Sequence, residues 1–237
     1  MYLKQIELNP MAIKFIQANV NEEINTKNWK GPDYRQAKAV LKYRPDIIIF
    51  EKANSNKTPN TVYNKYTCKN KPIESVHKYQ KWLKEKSKEY GDAESEIPMW
   101  DNIAKLWSED HNVLLYNVDG TDELRREFFE VWKYMYPCAL KNWLWWVRIY
   151  LREKYMARDI KWVLEKNKDK KDLVVAIFLQ KFHWEHVEFL LKNPTKKQVW
   201  DYYFKDFKGI TKANIGEKIK KENKVFYKHW KKISDFN

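Results

Sequence analysis

Four short apolar runs decide what this chain can become. After Asp46, Ile47-Ile48-Ile49-Phe50 is apolar without a break and stops at Glu51; Asn112–Val118, Leu173–Leu179 and residues 13–19 are the other apolar runs. No polar residue alternates with Ile47–Phe50, so both faces of that strand must be covered. That is the condition of a parallel sheet packed between helices. Between the first two runs, residues 34–43 (YRQAKAVLKY) have helical spacing and stop at Arg44-Pro45. Strand, helix and strand over this length make one right-handed βαβ unit. The spacing predicts a further long helix from Leu140 through Leu164, with a kink before Met156, and another over Trp184–Leu191 ending at Asn193-Pro194. The fold class read from this pattern is α/β, with a mostly parallel sheet of about four strands flanked by helices.

Residues 1–194 form the α/β core in this reading, with a helical insertion around 53–110. Residues 195–237 form a helical, basic C-terminal extension: 12 Lys/Arg stand against 5 Asp/Glu there, which is half of the chain's net charge of +14. Val199, Tyr203, Phe204 and Phe207 are spaced to pack inward, and Ile215, Ile219, Phe226 and Trp230 predict a final helix. So basic a surface favours anionic partners, nucleic acid among them, and Lys220, Lys221, Lys224 and Lys228 are the residues placed to contact one. The bland alternative is a lysine-rich solvated surface over packed aromatics.

Glycine is scarce, at 5 residues, and neither GxxxxGK[ST] nor GxGxxG occurs, which argues against a glycine-rich phosphate loop. No GxSxG elbow is present. Cys68 and Cys138 are the two cysteines. They are too few for a disulfide framework or a four-thiolate zinc site, which fits a reducing, cytoplasmic location. The start MYLKQIELNPMAIKFIQ lacks the apolar run of a signal peptide. Trp143–Val147, bounded by Lys141 and Arg148, is too short to span a bilayer.

The chemistry should sit where the strands end. Asn19 (or Asn21), Glu51, Asp119 and His183 each follow an apolar run, and parallel strands would gather them at one sheet edge, where open α/β folds bind ligands. Asp119 could equally form a turn with Gly120, and His183 could be a hydrogen-bonded structural imidazole. Arg152 and Arg158, on the long helix, could grip a carboxylate or phosphate in fork geometry, or form helix-surface ion pairs, for instance with Glu153 or Asp159. His183, Glu185 and His186 are wrongly spaced for HExxH and one residue short of HxxEH, so a metal held there would need a ligand such as Glu51. His186 reads as a surface or packing residue. Trp143, Trp145 and Trp146 read as core.

The stretch LREKYMARDIKWVLEKNKDKKDLVVAIFLQKFHWEHVEFLL resembles the TraB/GumN/Tiki group of the erythromycin-esterase/ChaN-like superfamily. That group shows an E-R-[DN]-x-x-M-A helix, an apolar strand, then G-x-x-H and a pair of leucines. Here Arg152 and His183 are kept, while Leu151 replaces the glutamate and Gln180 the glycine. Asp46–Glu51 looks like the group's strand ending in glutamate, and Asn112–Asp119 like its strand ending in aspartate. The resemblance covers roughly 13–51 and 112–191. It implies a hydrolase-like crevice acting on a small-molecule or peptide substrate, with a divalent metal as the implied cofactor. Glu51 and His183 would be ligands or acid/base groups, Arg152 a third catalytic group, and Arg152, Asp119 and Asn19 substrate contacts. The group's first G-x-x-H has no counterpart, since Gln17-Ala18-Asn19-Val20 stands there without a histidine. That leaves two versions open, an active hydrolase and an inactive or repurposed member. A non-catalytic polyanion-binding protein is the competing reading.

Overall fold

The computed structural model describes residues 2–8, 11–19, 43, 45–51, 114–119, 124, 127–128, 143–170 and 172–236. The fold is α/β. Among these residues the strands are β1 (Tyr2–Leu8), β2 (Met11–Asn19), β3 (Ile47–Phe50), β4 (Leu114–Asn117) and β5 (Val174–Leu179). They form one sheet in the order β1-β2-β5-β3-β4. β2, β5, β3 and β4 pair in parallel, and β1 pairs β2 antiparallel. Ile47, Ile48 and Ile49 point alternately to opposite faces and all are fully buried, so both faces of β3 are covered. Asp46 fixes the start of three neighbouring strands. Its N–H donates to the Val174 carbonyl (2.8 Å), its carbonyl accepts from Leu114 N–H (3.0 Å), and its Oδ2 accepts from Val174 N–H (2.9 Å).

The helices are α1 (Trp143–Lys166), α2 (Lys181–Leu191), α3 (Lys196–Tyr203), α4 (Ile215–Glu222) and α5 (Lys224–Ile233). α1 runs 24 residues without interruption, so the expected kink before Met156 does not occur. Neither glycine nor proline interrupts it, and Leu144, Val147, Leu151, Met156, Ile160 and Val163 are all buried. α2 stops at Asn193, whose φ of 53° is left-handed, and Pro194 bars continuation. Thr195 then caps α3 in a reciprocal capping box with Gln198. The predicted final helix is two helices. Asn223 breaks them by accepting from Val225 and Phe226 N–H, which caps α5.

By contact, the described residues fall into two units. One lies within 1–50, 60–117 and 168–181 and holds the strands; the other lies within 51–59, 118–167 and 182–237 and holds α1 with the C-terminal helices. In the second unit Trp200, Tyr203, Phe204, Phe226 and Trp230 are buried. Trp143, Trp145 and Trp146, expected in the core, are only half-buried. No described helix is long and apolar enough to cross a membrane. The expected insertion around 53–110, both cysteines and Asn21 lie outside the described residues.

Candidate functional site

Glu51, Asp119, Arg152, Glu153, His183, His186 and Tyr203 all belong to the second unit. Glu51 directly follows β3, and Asp119 lies two residues beyond β4. Both meet Arg152, from the middle of α1. Arg152 Nε and Nη2 donate to Asp119 Oδ1 (2.8 Å) and Oδ2 (2.7 Å), a two-pronged grip in fork geometry. Nη2 also donates to Glu51 Oε1 (2.8 Å), and Nη1 lies 2.8 Å from His183 Nε2. Burial works against the guanidinium's charge, but Asp119 and Glu51 outweigh it and raise its pKa further. Its side chain keeps 16 % exposure, so the centre of the cluster reaches solvent. Four of its five N–H groups are engaged among the described residues.

His183 is not the strand-end residue its sequence position implied. α2 begins at Lys181, one residue after β5, so His183 lies in the first helical turn, on the same face as His186. A guanidinium can only donate, so His183 Nε2 accepts from Arg152 and the ring proton sits on Nδ1. That Nδ1 lies 3.0 Å from Glu153 Oε1. His186, expected at the surface or in simple packing, is buried with Nδ1 2.7 Å from Glu153 Oε2, and Tyr203 donates its hydroxyl to that same oxygen (2.9 Å). Phe182, Tyr202, Tyr203 and Trp146 ring His186, with centroids 4.4, 5.3, 5.5 and 6.0 Å away. Burial and the neighbouring carboxylate hold the Tyr203 hydroxyl well above its ordinary pKa, which keeps it a donor. Arg148, the second arginine on this side of α1, is pushed down to about 10 by burial and by Arg152, against the pull of Asp119 and Glu153.

Glu51, Asp119, Arg152 and His183, four of the residues singled out from sequence, therefore meet. Asn19 closes β2, and its side chain is outside the described set. Arg158 takes the plain role weighed for it, pairing with Asp159 at 2.7 Å. Lys220, Lys221, Lys224 and Lys228 are all exposed; Lys220 lies 3.7 Å from Glu217 and Lys228 3.2 Å from Glu127.

The donor set does not present itself to a divalent ion as arranged. His183 Nε2, Glu51 Oε1 and both Asp119 oxygens face a guanidinium, and the two histidines turn Nδ1 to Glu153 rather than to a shared centre. No group of three or more His, Cys, Asp or Glu able to hold a metal ion forms among the described residues.

No family model matches this chain, and no curated protein or solved structure matches it.

A third buried histidine makes a separate array. His229 Nδ1 lies 3.0 Å from the Tyr155 hydroxyl and Nε2 2.7 Å from Glu127 Oε2. Burial raises the Tyr155 pKa, so the phenol donates to Nδ1 and the ring proton on Nε2 goes to Glu127. Burial lowers the His229 pKa more than Glu127 raises it. A folded-state value below the unfolded one means the unfolded chain takes up the proton first. The contribution is then complete above about pH 6.5 and lost as pH falls below it. Melting temperatures measured from about pH 8 down to pH 5 should fall more steeply for the native protein than for His229→Gln. Parallel profiles would contradict this.

Proposed function

We propose that the chain is a hydrolase-like α/β protein of the TraB/Tiki type, acting on an ester or amide of a small molecule or peptide. The meeting of Glu51, Asp119, Arg152 and His183 supports this reading. The same reading carries the finer architecture, a mostly parallel sheet flanked by helices with the basic segment 195–237 as its extension. Glu51, its side chain 11 % exposed, is the base: it takes a proton from water, the hydroxide adds to the carbonyl carbon, and the protonated Glu51 returns the proton to the leaving oxygen or nitrogen. The remaining Arg152 Nη1–H donates to the carbonyl oxygen as its charge grows. Asp119 and His183 hold the guanidinium in place, so the donor is set before substrate arrives. A divalent ion could take the same carboxylates only if Arg152 withdrew from them.

The test is hydrolysis of an ester and peptide library by the full-length protein, with EDTA and with added Mn²⁺. Glu51→Gln should lower kcat/KM by about 10²- to 10⁴-fold with an unchanged far-UV spectrum. Equal activity in that variant, or no turnover by the folded native protein under either condition, sinks the catalytic proposal. The second outcome would leave the inactive-member version standing. The polyanion-binding reading has less support, because Lys220 and Lys228 already face carboxylates of the chain itself.

A further inference from the structure

We infer that Glu153, a residue with no part in the reaction just described, is the positioning residue that accepts the Nδ1–H of His183 and fixes the proton positions of the His183–His186 pair. The inference rests on the proposed site for its catalytic consequence, but the tautomer itself does not depend on turnover. Arg152 and Glu153 are neighbours on α1, about 100° apart around its axis. One therefore faces the carboxylates after β3 and β4 while the other faces α2 and α3. Glu153 is 0 % exposed. A carboxylate so placed must be fully hydrogen-bonded, and its two oxygens receive three contacts: His183 Nδ1 on Oε1, and His186 Nδ1 and the Tyr203 hydroxyl on Oε2.

The directions of these bonds are forced from the other end. Arg152 Nη1 has no lone pair, so His183 Nε2 must accept, its proton must be on Nδ1, and Nδ1–H needs an acceptor. Glu153 Oε1 supplies it. The alternative tautomer would set an Nε2–H against an Nη1–H at 2.8 Å, and the Nε2–H would have to reach for Glu51 Oε1, 3.7 Å away and already taken by Arg152 Nη2. Glu153 thus holds Arg152 through the imidazole ring, in the way that outer carboxylates fix the ring orientation of metal-bound histidines. His186 and Tyr203 keep the carboxylate itself from rotating.

Glu153→Gln separates this role from simple packing, since the shape is kept and one acceptor becomes a donor. If the amide oxygen faces His183, the NH₂ faces His186 Nδ1 and Tyr203, and His186 must move its proton to Nε2. If the amide turns over, His183 itself is forced into the wrong tautomer. Either way one histidine changes.

The measurement is a long-range ¹H–¹⁵N spectrum of the full-length protein labelled at its 5 histidines, assigned by loss of signals in His183→Gln and His186→Gln. The native protein should show His183 and His186 both protonated at Nδ1, and Glu153→Gln should switch one of them. Its kcat should drop about 10- to 100-fold with KM unchanged, the size typical of lost outer-shell partners. A native spectrum with the His183 proton on Nε2, or on both nitrogens, overturns the inference whatever becomes of Glu153→Gln. So does a folded Glu153→Gln protein with both tautomers intact. Nδ1-protonated His183 in a protein without hydrolase activity would instead count against the proposed reaction and leave the role of Glu153 in place.

Discussion

Arg152→Ala should destabilise the protein by about 3–5 kcal/mol, the cost of leaving buried charge without its partner. Asp119 is 2 % exposed and would lose both prongs of its grip; Glu51 would lose a charged donor, and His183 Nε2 would lose the N–H that Nη1 gives it. Arg152→Lys should recover only part of the loss. An ammonium can satisfy one carboxylate at close range but cannot hold Asp119 with two parallel N–H groups while reaching Glu51 and His183. Adding Asp119→Asn to Arg152→Ala should restore stability relative to Arg152→Ala alone, because the buried charge that Arg152 paired goes with it. Urea unfolding of the three variants reads all of this. A loss under about 1 kcal/mol for Arg152→Ala would place the cluster among solvated surface pairs and remove the case for a preorganised site.

The central parts of this arrangement were legible because their signals are local. Ile47-Ile48-Ile49 and Val174–Leu179 read as strands from β-branched continuity, and Glu51 and Asp119 then follow by counting along the chain. β1 was not legible: Lys4, Gln5 and Glu7 dilute its apolar residues, and nothing but Asn9-Pro10 hinted at a hairpin. His183 reads as a strand-end residue because Gln180 alone separates β5 from α2, and no turn residue marks the change. Glu153 was missed for a different reason. A glutamate in a helix ordinarily faces water, and its partners stand 30, 33 and 50 residues away. One signal was available. Glu153 falls on the helical line Tyr150, Ala157, Ile160 and Leu164, all of them buried, so a charge there had to be satisfied inside. The histidine pair on α2, spaced to share a face, was the natural place to look.

Trp230→Ala should cost about 3–5 kcal/mol, the range for deleting a large aromatic from a packed core. Trp230, on α5, is 1 % exposed. Its ring meets Tyr150 of α1 at 5.8 Å, Phe204 at the end of α3 at 5.9 Å, and Phe236 at 5.9 Å in a stacked pair. Tyr150 fastens the same corner through its hydroxyl, which donates to Asp235 Oδ2 (2.8 Å) and accepts from Asp235 N–H (3.0 Å). Removing the indole therefore opens a space bordered by three aromatic rings, and its edge-to-face and stacked contacts are lost along with the buried area. The lysines of the same segment should behave in the opposite way. Lys221→Ala and Lys224→Ala should stay within about 0.5 kcal/mol of the native protein, and Lys228→Ala, which gives up one exposed pair with Glu127, within about 1 kcal/mol. The two sets of substitutions separate the exposed lysines of this segment from the aromatics that hold the second unit together. Urea midpoints equal for Trp230→Ala and the lysine variants would mean that α5 contributes no core at all, against the burial of Phe226 and Trp230.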